Sequence, residues 1–141
     1  NGEQKQLLEG TVGIEATPMY NLVRKREETG ELFHVKGRGN GYVLTFGEER
    51  VYISGDTECI PEMKALKDID VAFVCMNLPY TMPVEEAAEC IKEFKPRTLI
   101  PFHYRGQDPK KLDALLEGSG ITIKYMEWYP AAPKTEPVTP G

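Results

Sequence analysis

The spacing of apolar and polar residues along this chain changes period several times, and each change predicts an element. Thr11 to Thr17 alternates Val12, Ile14 and Ala16 with Gly13 and Glu15, the two-residue period of a half-buried strand. Pro18 stops it. Two short apolar runs, Tyr42-Val43-Leu44 and Val51-Tyr52-Ile53, flank Gly47-Glu48-Glu49, the pattern of two paired strands around a turn. Ile69 to Cys75 is almost continuously apolar between polar neighbours, which predicts a strand covered on both faces. Thr98-Leu99-Ile100 and Ile121 to Met126 predict two further strands.

Between these strands the period lengthens. Pro61 suits a first helical turn, with Met63 and Leu66 continuing a short helix. Pro83 opens the clearest helix, in which Val84, Ala87, Ala88, Ile91 and Phe94 share one face and charged residues take the other. Glu85 and Glu86 suit its positive end, and Pro96 ends it. Asp108-Pro109 predicts an N-cap and first helical position, Leu112, Leu115 and Leu116 a buried stripe, and Gly118 or Gly120 the close. Strands come first and a β-helix-β-helix-β order follows, which is an α/β layered architecture.

Two segments stand outside this pattern. Leu22 to Asn40 is rich in charge and glycine around the apolar island Phe33-His34-Val35, and a loop of that length is functional or mobile. Residues 130–141 carry four prolines in twelve positions, which predicts an extended, mobile tail behind a folded domain over residues 1–129.

Composition narrows the partners. At 141 residues with 40% hydrophobic content the chain is one domain with a sizeable core, and no apolar window is long enough for a membrane span. A formal charge of -5 disfavours a nucleic-acid surface. The three cysteines, Cys59, Cys75 and Cys90, are odd in number and lack close paired spacing, so reduced thiols are expected, with Cys75 in the core. That favours a reducing, cytoplasmic setting. The chain opens on Asn1-Gly2 without a Met, which reads as a cut end.

Candidate chemistry gathers at the ends of predicted strands. The run Ser54-Gly55-Asp56-Thr57-Glu58 places a carboxylate after a buried strand on backbone freed by glycine. Only two histidines occur: His34 in the long loop and His103 just after the Thr98-Leu99-Ile100 strand. Each of the three could singly be a cap or surface residue, but together they form a set of metal-competent side chains outside core positions.

The series Tyr20-Asn21, Phe33-His34, Gly39-Asn40-Gly41-Tyr42-Val43, Tyr52-Ile53-Ser54-Gly55-Asp56-Thr57, Ile69-Asp70-Val71-Ala72, Tyr80-Thr81-Met82, Glu86-Ala87-Ala88, Lys95-Pro96 and Ile100-Pro101-Phe102-His103-Tyr104 resembles the metallo-β-lactamase superfamily. The likeness is to its branch of lactonase-like and phosphodiesterase-like metal-dependent hydrolases, and it runs from about Thr11 to Tyr129. The Gly-Asp-Thr and Pro-Phe-His-Tyr blocks in this order are its most specific part.

The resemblance implies that Asp56 bridges two metals, that His103 is a ligand of one, and that His34 is the middle histidine. In some relatives that histidine directly follows a Thr-Pro-Ala-Phe block; here Thr17-Pro18-Met19-Tyr20 is followed by Asn21, so His34 would reach in from the loop. The family's first motif, His-x-His-x-Asp-His, is nowhere in the sequence. The chain therefore resembles the C-terminal half of the αββα sandwich, a mixed sheet with helices on one outer face. Implied cofactors are two zinc ions, with manganese or iron as alternatives.

The implied reaction is hydrolysis, with a two-metal-activated water attacking an ester, lactone or phosphodiester. Asp56 and His103 would be catalytic, and the chain alone is expected to be inactive. Asn21, Lys36, Arg38, Tyr80, Tyr104 and Arg105 are candidate contacts for a small, anionic substrate. Two other classes stay open: an assembly fragment that pairs with a missing N-terminal half or a second copy, and a small-molecule-binding α/β domain with its ligand at the strand ends.

Overall fold

The computed structural model describes residues 2–128. Their strands form one seven-stranded sheet in chain order: β1 (Gln4–Leu7), β2 (Val12–Pro18), β3 (Asn40–Phe46), β4 (Glu49–Ile53), β5 (Val71–Cys75), β6 (Thr98–Phe102) and β7 (Thr122–Ile123). β1 through β4 pair antiparallel with one another, and β4 through β7 pair parallel. Parallel neighbours need crossover connections. Here α1 (Pro61–Lys64), α2 (Val84–Phe94) and α3 (Lys111–Leu115) lie in those crossovers.

All the buried residues of the three helices belong to one cluster, with Val43, Tyr52, Ala72, Val74 and Leu99 from the sheet. The helices therefore cover one face, as expected for an α/β sheet with helices on one side. Tyr52 meets Phe94 edge to face at 5.9 Å between ring centres. Each large side chain buried in this way contributes about 1.5–3 kcal/mol.

The opposite face is also apolar, and the strand register shows it. One row runs Ile14, Leu44, Val51, Val71 and the next runs Tyr42, Ile53, Phe73, Ile100. Tyr42 is 39% exposed and Phe46, on the same side of β3, 47%. Trp128 covers part of this face: its ring meets Phe73 at 6.4 Å and its indole N–H donates to the Pro101 carbonyl at 2.9 Å.

Several expectations need correction. Cys59 and Cys90 are bonded as a disulfide with Cα atoms 5.6 Å apart, so only Cys75 is a free thiol. Packing of α2 against the turn after β4 brings the two together, across a separation of 31 residues that carries no pairing signal. With that bond present, thiol count no longer argues for a reducing compartment. Among the described residues no helix is long and apolar enough to cross a membrane.

The Asp108-Pro109 pair forms a turn in which Asp108 Oδ1 accepts the Lys110 N–H at 3.0 Å, and α3 begins later, at Lys111. The last strand is two residues long instead of six; Lys124 still donates its N–H to the Leu99 carbonyl at 2.8 Å, and beyond it the Tyr125 hydroxyl donates to Asp113 at 2.8 Å. β1 was not expected: its sequence is polar and all four residues are exposed, so it carries no alternation to read. The proline-rich tail lies outside the described residues.

Candidate metal centre

Parallel pairing sets the ends of β4, β5 and β6 at one edge of the sheet, where such sheets receive ligands. Asp56 and His103 both follow strands that end there. After β4 the chain turns at Gly55, whose φ is +63°. A Cβ at Gly55 would lie 2.9 Å from both the Asn40 carbonyl oxygen and Met19 Sδ, so glycine is required for conformation and for space. Gly55→Ala is expected to cost about 1–3 kcal/mol, measured as a drop in denaturant midpoint; an unchanged midpoint would show that the turn can relax. Ser54 braces the same turn, its hydroxyl accepting the Cys75 N–H at 3.1 Å and donating to the Gly55 carbonyl at 2.8 Å.

His103 sits at the end of β6 with φ +46°. Histidine is among the few side chains that tolerate the left-handed region, and the turn aims its ring at Asp56. His103 Nδ1 lies 2.9 Å from Asp56 Oδ1. His34 approaches from the other side, with Nε2 3.6 Å from Asp56 Oδ2. Each carboxylate oxygen thus faces a different imidazole. All three side chains are partly open to solvent, at 23% for His34, 35% for Asp56 and 39% for His103.

What brings His34 across thirteen residues is a buried polar network. Glu58, only 1% exposed, accepts the backbone N–H groups of Leu22, Val23 and Arg24 at 2.8–3.1 Å and the side-chain amide of Asn21 at 2.9 Å. Burial alone would raise its pKa, but the bonds from Asn21 and those backbone groups outweigh it and hold the carboxyl below its ordinary range. Asn21, also 1% exposed, passes this anchorage on: its Oδ1 accepts the His34 backbone N–H at 2.6 Å and lies 2.9 Å from His34 Nδ1.

The remaining candidates have varied surroundings. Lys36 is ion-paired with Glu62 and its ammonium lies 4.7 Å from the Tyr20 ring centre, so it already has an anion. Arg38 lines a cleft of about 210 Å³ with Met19, Arg26, Phe33 and His34. Tyr80 is 45% exposed, stacks edge-on with Phe33 at 5.0 Å, and its carbonyl oxygen accepts from the Asn21 side-chain amide. Tyr104 packs against the core cluster and Arg105 is exposed in the turn beyond it. Asn77 and Gln107 were not singled out from the sequence. Asn77 Nδ2 lies 3.0 Å from His103 Nε2, and Gln107 bonds the Met76 and Met82 carbonyls and the Val84 N–H, closing the loops around His103.

Residues 4–104 match the family model described as a β-lactamase superfamily domain. The chain belongs to the metallo-β-lactamase superfamily. A solved structure from Parabacteroides distasonis, described as a metal-dependent hydrolase, is similar to it at 45% identity and TM-score 0.82, over 90% of this chain and 56% of that one. A metallo hydrolase from Ignicoccus hospitalis is similar at 25% identity and TM-score 0.71, over 89% and 55% of the two chains. A UPF0173 metal-dependent hydrolase of Deinococcus radiodurans is 39% identical over 98 residues, 64% of this chain and 43% of its own length. This metallo-β-lactamase-superfamily chain thus spans about half the length of the relatives it matches.

The side chains fit a divalent ion in kind. Two imidazoles and a carboxylate are the nitrogen and oxygen donors that zinc takes, and the 3.6 Å separation of His34 Nε2 from Asp56 Oδ2 exceeds an ordinary hydrogen bond. In number they fall short. Among the described residues no group of three His, Cys, Asp or Glu side chains converges tightly enough to hold an ion alone.

Proposed function

We propose that the chain supplies one side of the active centre of a metal-dependent hydrolase. The observation that carries this assignment is Asp56 with an imidazole at each carboxylate oxygen, His103 at 2.9 Å and His34 at 3.6 Å. Asp56 would bridge two divalent cations and each histidine would fill one coordination place. Zinc suits these donors, with manganese and iron as the alternatives. When bound, such ions supply Lewis-acid polarisation and lower the pKa of a water toward neutrality.

The substrate class would be an ester, lactone or phosphodiester. Arg38, on the His34 side, and Arg105, on the His103 side, would draw in an anionic group. Zinc takes about four ligands, so three side chains shared by two ions need further donors from a segment bearing the His-x-His-x-Asp-His motif. The greater length of the relatives supports this. The chain by itself would then be inactive.

Zinc equilibration followed by elemental analysis tests the assignment. Joined to a segment that carries the first motif, the chain should retain zinc, and Asp56→Ala should weaken retention beyond the roughly 10–100-fold that outer residues cost. In a protein that also carries the first motif, Asp56→Ala should abolish lactone or phosphodiester hydrolysis. No bound metal and unchanged hydrolysis would sink it.

An assembly module is the second reading, favoured by the open apolar rows around Tyr42 and Phe46. A face of that kind is rarely left in water, and a first half of the domain or a second copy would cover it. Sedimentation of the chain alone decides: a compact monomer at every concentration counts against a self-pairing face.

A further inference from the structure

Asn21 has three polar neighbours whose chemistry leaves no choice. Its Nδ2 lies 2.9 Å from Glu58 Oε1 and 2.8 Å from the Tyr80 carbonyl oxygen. An ionised carboxylate and a carbonyl only accept. On the other side, 2.6 Å from Oδ1, is the backbone N–H of His34, which only donates. The amide orientation, often a choice between oxygen and nitrogen, is therefore dictated by its surroundings.

One consequence reaches the metal centre. Since Oδ1 is an acceptor, the ring nitrogen 2.9 Å from it, His34 Nδ1, must carry the hydrogen. In a neutral imidazole Nε2 is then a bare lone pair. That lone pair faces Asp56 Oδ2, another acceptor, at 3.6 Å. Two acceptors opposed across such a gap make no hydrogen bond with each other, and a positive charge between them satisfies both.

We infer that Asn21, clamped by buried Glu58, is a positioning residue that fixes His34 as the Nδ1–H tautomer and presents bare Nε2 beside Asp56 Oδ2 for a divalent cation. The cation half of this rests on the metal-centre assignment above; the tautomer half stands on the hydrogen bonds alone. The clamp is built for rigidity. Asn21 and Glu58 are each 1% exposed, and the Asn21 backbone N–H also donates to the His34 carbonyl at 2.9 Å, so residue and ring are held at three points.

His103 is constrained differently. Its Nδ1 lies 2.9 Å from Asp56 Oδ1, a carboxylate that only accepts, which puts the hydrogen on Nδ1 and leaves Nε2 to accept from Asn77 Nδ2 at 3.0 Å. The residue that sets this ring is itself the proposed metal ligand and not an outer partner, so the inference is confined to His34. Outer partners that set the tautomer of a ligating histidine are a general feature of metal sites. Here the partner is an amide instead of the commoner carboxylate or carbonyl, and the carboxylate stands one step behind it.

The test is a long-range proton–nitrogen NMR spectrum of the chain labelled with ¹⁵N at histidine, at about pH 8, above the ordinary imidazole pKa. His103→Gln assigns the two rings. The expected result is His34 with a protonated Nδ1, an unprotonated Nε2 and a nuclear Overhauser contact from Hδ1 to the Asn21 amide protons. A wild-type His34 protonated at Nε2 overturns the positioning half without any variant being made. In Asn21→Ala the Nδ1–H form should lose its preference, and its persistence in a folded variant also overturns that half.

In the protein that also carries the first motif, zinc chloride should move the His34 Nε2 resonance while Nδ1 keeps its hydrogen, and Asn21→Ala should weaken zinc binding about 10–100-fold. An Nε2 resonance indifferent to zinc overturns the cation half together with the metal assignment. The two failures therefore appear in different signals.

Discussion

Glu58→Ala is expected to lower the stability of this chain by about 3–5 kcal/mol, the usual result of removing one partner from a buried charged network. Three backbone N–H groups, those of Leu22, Val23 and Arg24, and the Asn21 amide lose their acceptor at once. Arg24, whose guanidinium lies 3.4 Å from the carboxylate, loses a counter-charge and keeps only Glu86. Each donor left buried and unpaired carries its own desolvation cost, and Glu58 itself is only 1% exposed. For a domain of this size the loss is on the order of 10 °C in Tm. Glu85→Ala is the control: its pair with Lys111 is more than half exposed on both sides, and such pairs contribute little to stability. Equal losses in the two variants would show that Glu58 is not the anchor described.

Acid should expose the same residue. The carboxyl pKa of folded Glu58 is held below its ordinary value, so the stabilisation is fully present above the unfolded pKa, near 4.3. It is lost as pH falls through the lower, folded value. Wild type and Glu58→Ala should therefore differ fully at neutral pH and converge in strong acid, as read from denaturant midpoints across that range.

The sheet was largely legible because its strands carry period-two or continuous apolar patterns, and the parallel pairing of β5 with β4 and with β6 follows from the helical segments between them. Asp56 and His103 were legible for a related reason: each lies just beyond an apolar run, and parallel strands bring such ends to one edge. Glu58 was not, although it is two residues from Asp56. A buried glutamate in a polar run looks like any surface glutamate until the loop that covers it is folded. His34 can be named from the sequence as a metal-competent side chain in a loop, but its orientation depends on Asn21, which is thirteen residues earlier and reads in sequence only as a candidate substrate contact. β1 escaped because main-chain pairing to β2, not side-chain burial, holds it in the sheet.

Cysteine pairing was illegible for a further reason, and it yields the second large effect. Reducing the Cys59–Cys90 bond, or replacing both residues by serine, is expected to cost about 4 kcal/mol, from the chain entropy of a loop closed over 31 residues. The entropic effect lies mainly in the unfolded chain, which the bond keeps from exploring open arrangements. Cys90 is fully buried on α2, and Cys59 follows Glu58 directly, so the bond ties the helix layer to the turn that carries Asp56. Cys75, buried in the core with its thiol pKa pushed up by burial, should neither exchange with the pair nor react with thiol reagents in the folded protein. Unfolding in denaturant with and without dithiothreitol measures the difference. A midpoint that does not move on verified reduction would mean that the bond contributes nothing to stability. If the effect is confined to the unfolded chain, the His34 ring signals should be unchanged in the reduced, still-folded protein; a shift there would show that the bond also holds Glu58, and through Asn21 the imidazole, in place.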